Sequence, residues 1–172
     1  MEGYARTIQG LEEMGLIEIK RILDTTPKII YPGMLVFKVK NLEELAKLCY
    51  TSKGLLKVGL LFGQGKFKDI EDLIKQISSK KIDWKFETFA VRCTRTGKHN
   101  FSSKEVEMEV GNSIKGKVNL NNPHTLFAVE IFEDNFIFGI DFAGFPLDKR
   151  FYRVKMSFSS LNSCVACAML DL

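Results

Sequence analysis

Between Phe89 and Lys104 the sequence reads FAVRCTRTGKHNFSSK, and Arg92, Arg95, Lys98, His99, Asn100 and Phe101 follow one another without a carboxylate among them. Cations neutralise phosphates, whereas an aromatic ring and small amides can cover the faces and edges of unpaired bases, so this mixture suits a flexible polyanion. The segment runs into Ser102, where backbone N–H groups at a helix N-terminus are expected to accept a phosphate oxygen beside Lys104. Taken alone, the same residues also read as solvated loop charges, with Phe101 as a staple against the helix.

Three further segments carry related chemistry. Lys149, Arg150, Tyr152 and Arg153 form a second basic and aromatic cluster, which would either position phosphates or dock a linker through Phe151 and Tyr152. Asn122 lies in the amide-rich stretch Asn119 to His124, where side-chain amides could meet base edges, although Asn and Pro are ordinary turn residues. Lys115 and Lys117 are supporting phosphate contacts.

Catalytic and metal-binding patterns are sparse. Gly63-Gln64-Gly65-Lys66 lacks the full glycine-rich fingerprint and its distal acidic partner, and reads as a linker. Cys164 and Cys167 make a single C-x-x-C with no second pair at zinc-site spacing, so they are expected to sit in a small apolar helix. No catalytic residue and no metal ligand is assigned.

With 172 residues, the chain can bury roughly two-thirds of its unfolded surface in one domain or two small ones. A hydrophobic content of 45% and 14 Phe supply core volume without disulfides or metals. The net charge of +4 is too small to argue for nucleic acid, so its local distribution carries the argument. The N-terminus reads as lacking a secretory signal, and every apolar run is far shorter than the ~20 residues of a transmembrane helix. Reduced thiols and a cytoplasmic location are the expectation, with no membrane partner.

Periodicity supplies the elements that hold these residues. Ala5 to Ile8 reads as a strand, Leu11, Gly15, Ile19 and Ile22 as one helix face, and Ile29 to Tyr31 and Met34 to Val39 as strands around the Pro32-Gly33 turn. Asn41 caps a second helix with Glu44 at the capping-box position and Leu42, Leu45, Ala46 and Cys49 on one face, before a buried strand from Leu55 to Phe62. The resulting β-α-β-β-α-β order is the ferredoxin-like arrangement. Beyond the expected linker, Phe67 to Ile77 reads as a helix, Glu87 to Cys93 as a strand, and Ser102 to Glu105 as a capping box for a helix with Val106, Val110 and Ile114 inward. Leu126 to Phe132 and Phe136 to Phe142 read as a hairpin, with Glu87 to Cys93 parallel to one of its strands.

In that order, Phe89-Ala-Val-Arg92, Gly97-Lys-His-Asn-Phe101, Ser102 to Glu105, Val110-Gly111, Asn119 to Pro123, Gly139-Ile-Asp141, Gly144 and Lys149 to Arg153 resemble a THUMP domain, the module of tRNA-modifying enzymes. Gly10-Leu-Glu12 and Pro32-Gly33 resemble the ferredoxin-like domain that accompanies it. The passage from Lys149 through Leu161 to Leu170 is similar to the entry into a Rossmann-like methyltransferase domain.

The resemblance implies an α+β fold, with a ferredoxin-like unit packed against a THUMP domain that has a mixed sheet and flanking helices. It implies residues 1–65 for the first domain, 66–148 for the second, and 149–172 for a linker and the start of a methyltransferase domain absent from the chain. The implied function is recognition of the tRNA acceptor stem and 3′-CCA end, positioning tRNA for N2-methylation of guanine. S-adenosylmethionine would bind the absent domain and no cofactor this chain, whose partners would be tRNA and a catalytic domain or subunit. Two other classes stay open: a stand-alone RNA-binding or interaction scaffold, and a small thiol-dependent redox protein using Cys164 and Cys167.

Overall fold

A computed structural model describes residues 1–149 and 160–170, which separate into two compact units. One unit comprises Met1–Leu60 and the described residues from Phe142 onward; the other is Leu61–Asp141.

The first unit follows the expected β-α-β-β-α-β order. Its elements are β1 (Glu2–Thr7), α1 (Glu12–Leu23), β2 (Lys28–Tyr31), β3 (Met34–Lys38), α2 (Leu42–Thr51) and the start of β4 (Leu55–Lys66). β1 lies between β3 and β4 and β2 pairs outside β3, all antiparallel, which is the ferredoxin-like strand order. β1 begins earlier than the expected Ala5, because Glu2 already pairs with Lys38.

Polar groups fix the corners of this unit. The buried Glu18 carboxylate accepts from Ser52 Oγ at 3.2 Å, Lys53 N–H at 2.6 Å and Gly54 N–H at 3.0 Å, which offsets the cost of burying it beneath the turn from α2 into β4. Glu12 accepts from Gly10 N–H at 2.9 Å and Gly33 N–H at 2.7 Å, so one carboxylate joins the two short motifs that stood out in the sequence. Gly33 has φ +79°, and a Cβ there would lie 3.1 Å from the Thr7 carbonyl oxygen.

α2 departs from its expected face. Leu45 and Leu48 are the buried pair, whereas Leu42 and Ala46 are exposed. Asn41 does cap the helix, accepting from Glu44 N–H at 3.0 Å, but the Glu44 carboxylate reaches back to Lys40 N–H at 2.8 Å instead of closing a capping box.

A last helix, α5 (Ser163–Leu170), also groups with the first unit. Asn162 Oδ1 accepts from Cys164 N–H at 2.8 Å, its Nδ2 donates to Asp148 Oδ2 at 3.1 Å, and Cys164 is buried with its thiol 3.8 Å from the Leu55 carbonyl oxygen. Neither Cys164 nor Cys167 is in a disulfide. Among the described residues, no group of three His, Cys, Asp or Glu is placed to hold a metal ion, and no helix is long and apolar enough to cross a membrane.

The second unit contains the end of β4, α3 (Ile70–Ser78), β5 (Thr88–Thr96), α4 (Ser103–Ser113), β6 (Lys117–Val118), β7 (Thr125–Phe132) and β8 (Asn135–Asp141). β5 runs parallel to both β7 and β6, and β7 pairs antiparallel with β8, so this sheet is mixed. Phe86, Phe89 and Phe127 meet edge to face at 5.3 to 5.8 Å, and Phe62 joins Phe127 and Phe138 at 6.3 and 6.0 Å. This aromatic cluster is the centre of the core.

Two expectations are corrected here. Gly63 to Gly65 is no linker, because β4 runs through it to Lys66. The glycines serve close packing: a Cβ on Gly63 would meet Lys80 side-chain carbons at 2.8 to 3.1 Å, and one on Gly65 would meet Gln76 at 3.0 Å and Phe136 at 3.2 Å. Second, β5 continues past Cys93 to Thr96, so Arg95 sits on a strand and not in a loop.

Candidate nucleic-acid interface

The cations of β5 divide between two environments in the second unit. Arg95 points into a clamp. Its Nη1 donates to His99 Nδ1 at 3.2 Å, and its guanidinium carbon lies 5.7 Å from the centre of the Phe101 ring. His99 Nε2 stands 2.7 Å from the Glu133 carbonyl oxygen. A carbonyl only accepts and a guanidinium only donates, so the neutral ring that satisfies both carries its proton on Nε2.

Apolar contacts complete the clamp. Phe67 stacks on His99 at 6.0 Å and tilts against Phe101 at 6.0 Å, while His99 and Phe101 lie 5.0 Å apart. Phe67 in turn meets Phe136 at 6.4 Å, which anchors the loop after β5 to the core. Gly97 permits the turn: its φ is +115°, and a Cβ there would sit 3.2 Å from Glu133 Cα. Sequence reasoning missed Phe67 and Glu133 as partners of this loop. The clamp leaves Arg95 Nε buried without a hydrogen-bond partner.

Ser102 closes the loop as the N-cap of α4. Its hydroxyl accepts from Glu105 N–H at 3.2 Å, and the Glu105 carboxylate accepts from Ser102 N–H, forming the expected capping box. The donation from Ser102 backbone and then side chain holds the Glu105 carboxyl below its ordinary range. Within the helix start the Ser102 N–H is thus taken by the Glu105 carboxylate and the Glu105 N–H by the Ser102 hydroxyl, so neither of these two donors faces a phosphate in this structure. Lys98, Asn100 and Lys104 remain exposed around the cap.

Arg92, three residues before Arg95, faces the other environment. β6 is only two residues long, and the bond from Asn119 N–H to the Phe89 carbonyl at 2.8 Å lies at its end. Beyond that point side chains meet the β5 edge: Arg92 Nη1 donates to the Val91 carbonyl at 3.2 Å and Nη2 to the Leu120 carbonyl at 3.0 Å, and Glu107 accepts from Cys93 N–H at 2.9 Å. Such capping blunts an edge that is otherwise free to pair. Burial pushes the Cys93 thiol up to about 11, which keeps it protonated and a poor nucleophile at neutral pH.

An open cleft of about 410 Å³ lies over this edge. Lys104, Glu107, Met108, Gly111 and Asn112 form one wall at helical spacing along α4. Phe89, Val91 and Arg92 line it from β5, and Val118 and Leu120 from β6 and the residues after it. Met108, Val118 and Leu120 are 66%, 53% and 60% exposed, so the apolar surface is open to solvent. Lys104, Met108, Gly111 and Asn112 share a helix face, a spacing that the sequence reading did not use.

The remaining candidates are scattered. Lys115 and Lys117 are exposed, with Lys117 in β6. Asn119 Oδ1 accepts from Asn121 N–H at 3.2 Å and Asn122 N–H at 3.1 Å, so the stretch containing Asn122 is an Asx-type turn. Lys149 is exposed in the first unit. Arg150, Tyr152 and Arg153 lie outside the described residues.

Residues 65–141 match the family model of the THUMP domain. A tRNA (guanine(6)-N2)-methyltransferase of Methanocaldococcus jannaschii is 29% identical over 190 residues, covering 100% of this chain and 49% of that protein. A tRNA sulfurtransferase of Vibrio vulnificus is 33% identical over 100 residues, covering 54% of this chain and 20% of its own. The chain thus spans about half the length of the methyltransferase relatives it matches. A solved Listeria monocytogenes structure described as a predicted N6-adenine-specific DNA methylase superposes with a TM-score of 0.80 at 19% identity, over 99% of this chain and 48% of that one, which shows the fold.

Proposed function

We propose, from the premise that residues 65–141 are a THUMP domain, that the chain binds tRNA and presents it to a modifying domain. The finer reading is recognition of the acceptor stem and the unpaired 3′-CCA end, with N2-methylation of a guanine carried out by a Rossmann-like domain or subunit that holds S-adenosylmethionine. The likeness to the tRNA (guanine(6)-N2)-methyltransferase, which runs through 100% of the chain, carries this reading. The sulfurtransferase likenesses cover 54% to 75% of the chain, less than the methyltransferase likenesses, which favours methylation over thiolation.

The mechanism is positioning. Arg92, Lys98, Lys104, Lys115 and Lys117 would engage the phosphate backbone, with Asn100 and Asn122 beside them and Lys149, Arg150, Tyr152 and Arg153 extending the surface. Arg95, His99, Phe101 and Ser102 would act through the clamp and cap that shape the loop carrying Lys98. The domain layout expected from the sequence and a cytoplasmic location belong to the same proposal.

Titrating the chain with intact tRNA and with tRNA trimmed of its 3′-CCA end, at several salt concentrations, tests this reading. Affinity should fall steeply as salt rises, because phosphate contacts release counterions, and trimming should weaken it. An affinity indifferent to salt, or equal for both tRNAs, would contradict the assignment.

A further inference from the structure

Cys164 and Cys167 form a motif for which tRNA binding has no use. Three residues apart on α5, they lie on one helix face. Both line the same small cavity of the first unit, whose volume of about 10 Å³ is room for roughly one water. Leu11, Met14 and Ala168 supply apolar wall there. The Glu18 carboxylate on the same lining is already committed to Ser52, Lys53 and Gly54. The two cysteines differ in access: Cys164 is fully buried with its thiol 3.8 Å from the Leu55 carbonyl oxygen, whereas Cys167 is half-buried.

A disulfide needs Cβ atoms about 3.5–4.5 Å apart. Side chains three positions apart on a helix have Cβ atoms about 5–6 Å apart, so this pair must close by roughly 1–2 Å. A first helical turn yields most easily, because its N–H groups lack intrahelical partners. Cys164 sits in that turn of α5, held there by side chains: Asn162 Oδ1 accepts from its N–H at 2.8 Å, and Ser163 Oγ donates to the Asp148 carbonyl at 2.9 Å. The cavity beside the thiols gives the sulfurs room to approach. Cys49 on α2 and Cys93 on β5 are the contrast, since neither element holds a second cysteine.

We infer that Cys164 and Cys167 are a redox-responsive dithiol, which a small disulfide such as glutathione disulfide converts into a bridge between them. The half-buried Cys167 gives its proton to solvent, and its thiolate attacks one sulfur of glutathione disulfide. A mixed disulfide forms and one glutathione thiolate leaves. Cys164, deprotonated in turn, attacks the Cys167 sulfur, so the protein bridge forms and the second glutathione leaves. The protein loses two electrons and two protons, and glutathione disulfide is reduced to two glutathione molecules. Access sets the order, because the buried Cys164 can resolve a mixed disulfide beside it but cannot meet the oxidant first.

The full chain, incubated with glutathione disulfide and quenched in acid, tests this by intact mass and peptide mapping. Two of its four thiols should disappear, the mass should fall by two hydrogens, and the link should map to Cys164 and Cys167 while Cys49 and Cys93 stay reduced. Cys164→Ser should stop with one glutathione on Cys167. Cys167→Ser should leave the buried Cys164 reduced, thermal melts establishing that each variant is folded. A wild-type chain that keeps all four thiols, that stops at a stable mixed disulfide, or that links either cysteine to Cys49 or Cys93 overturns the inference without need of a variant. A folded Cys167→Ser that takes up glutathione on Cys164 as fast as wild type reacts overturns the order of attack. None of these readouts involves tRNA, so the proposed function stands or falls separately.

Discussion

Arg92 and Arg95 lie three residues apart on one strand and yet serve opposite kinds of surface. Arg95 is turned into a clamp closed by His99, Phe101, Phe67 and the Glu133 carbonyl, so its charge is committed to holding a loop. Arg92 caps a free strand edge at an open apolar cleft and keeps an exposed side chain. Two cations from the same basic segment are therefore unequal evidence for a polyanion. What separates them is the next element along each direction: a glycine turn and a hairpin on one side, a two-residue strand on the other.

If the clamp is structural and the cleft is open, substitutions in them should differ in kind. The largest effect is expected from Phe67→Ala, which removes a ring 6% exposed that joins His99, Phe101 and Phe136. Chemical denaturation should show a loss of about 3–5 kcal/mol. Gly97→Ala comes next, because the new side chain would carry φ +115° and press on Glu133; roughly 1–3 kcal/mol of destabilisation is expected by the same measurement.

Ser102→Ala should cost about 1 kcal/mol through loss of the cap at the start of α4. The cap also gives a pH signature. The folded carboxyl of Glu105 is lowered from 4.5, so its stabilising contribution is full above 4.5 and fades as pH falls through the lower folded value. Melting wild type and Glu105→Ala across this window should show their difference shrinking toward acid pH. A constant difference would remove the charge from the explanation.

At the cleft the sign should reverse. Gly111→Ala adds a methyl that meets no neighbour, so the helix should gain about 0.5–1 kcal/mol, seen as a higher melting temperature. A destabilised Gly111→Ala would mean that the cleft wall is packed after all, and the contrast with the clamp would fail.

The parts legible in the sequence were those governed by local pattern. The Ser102 and Glu105 box, the Val106, Val110 and Ile114 stripe and the parallel pairing of β5 with a hairpin strand follow from capping and periodicity, and the structure contains all three. Gly63 and Gly65 misled because a glycine pair reads as flexibility, whereas here Lys80, Gln76 and Phe136 pack over them. β6 was too short to produce a pattern. The candidate site was legible as composition but not as geometry, because the partners of His99 lie 32 residues before it at Phe67 and 34 after it at Glu133. The cleft likewise combines a strand, a helix and a turn that no single window of sequence contains.

Exposed cations of the segment matching the THUMP domain model are proposed to bind the tRNA backbone. The salt dependence of tRNA affinity for wild type and for a Lys98→Ala, Lys104→Ala double variant tests this, both positions being exposed. The slope of log affinity against log salt should become shallower by about 1 for each lysine removed. A double variant with the wild-type slope and affinity would show that tRNA, if bound, lies elsewhere on the chain.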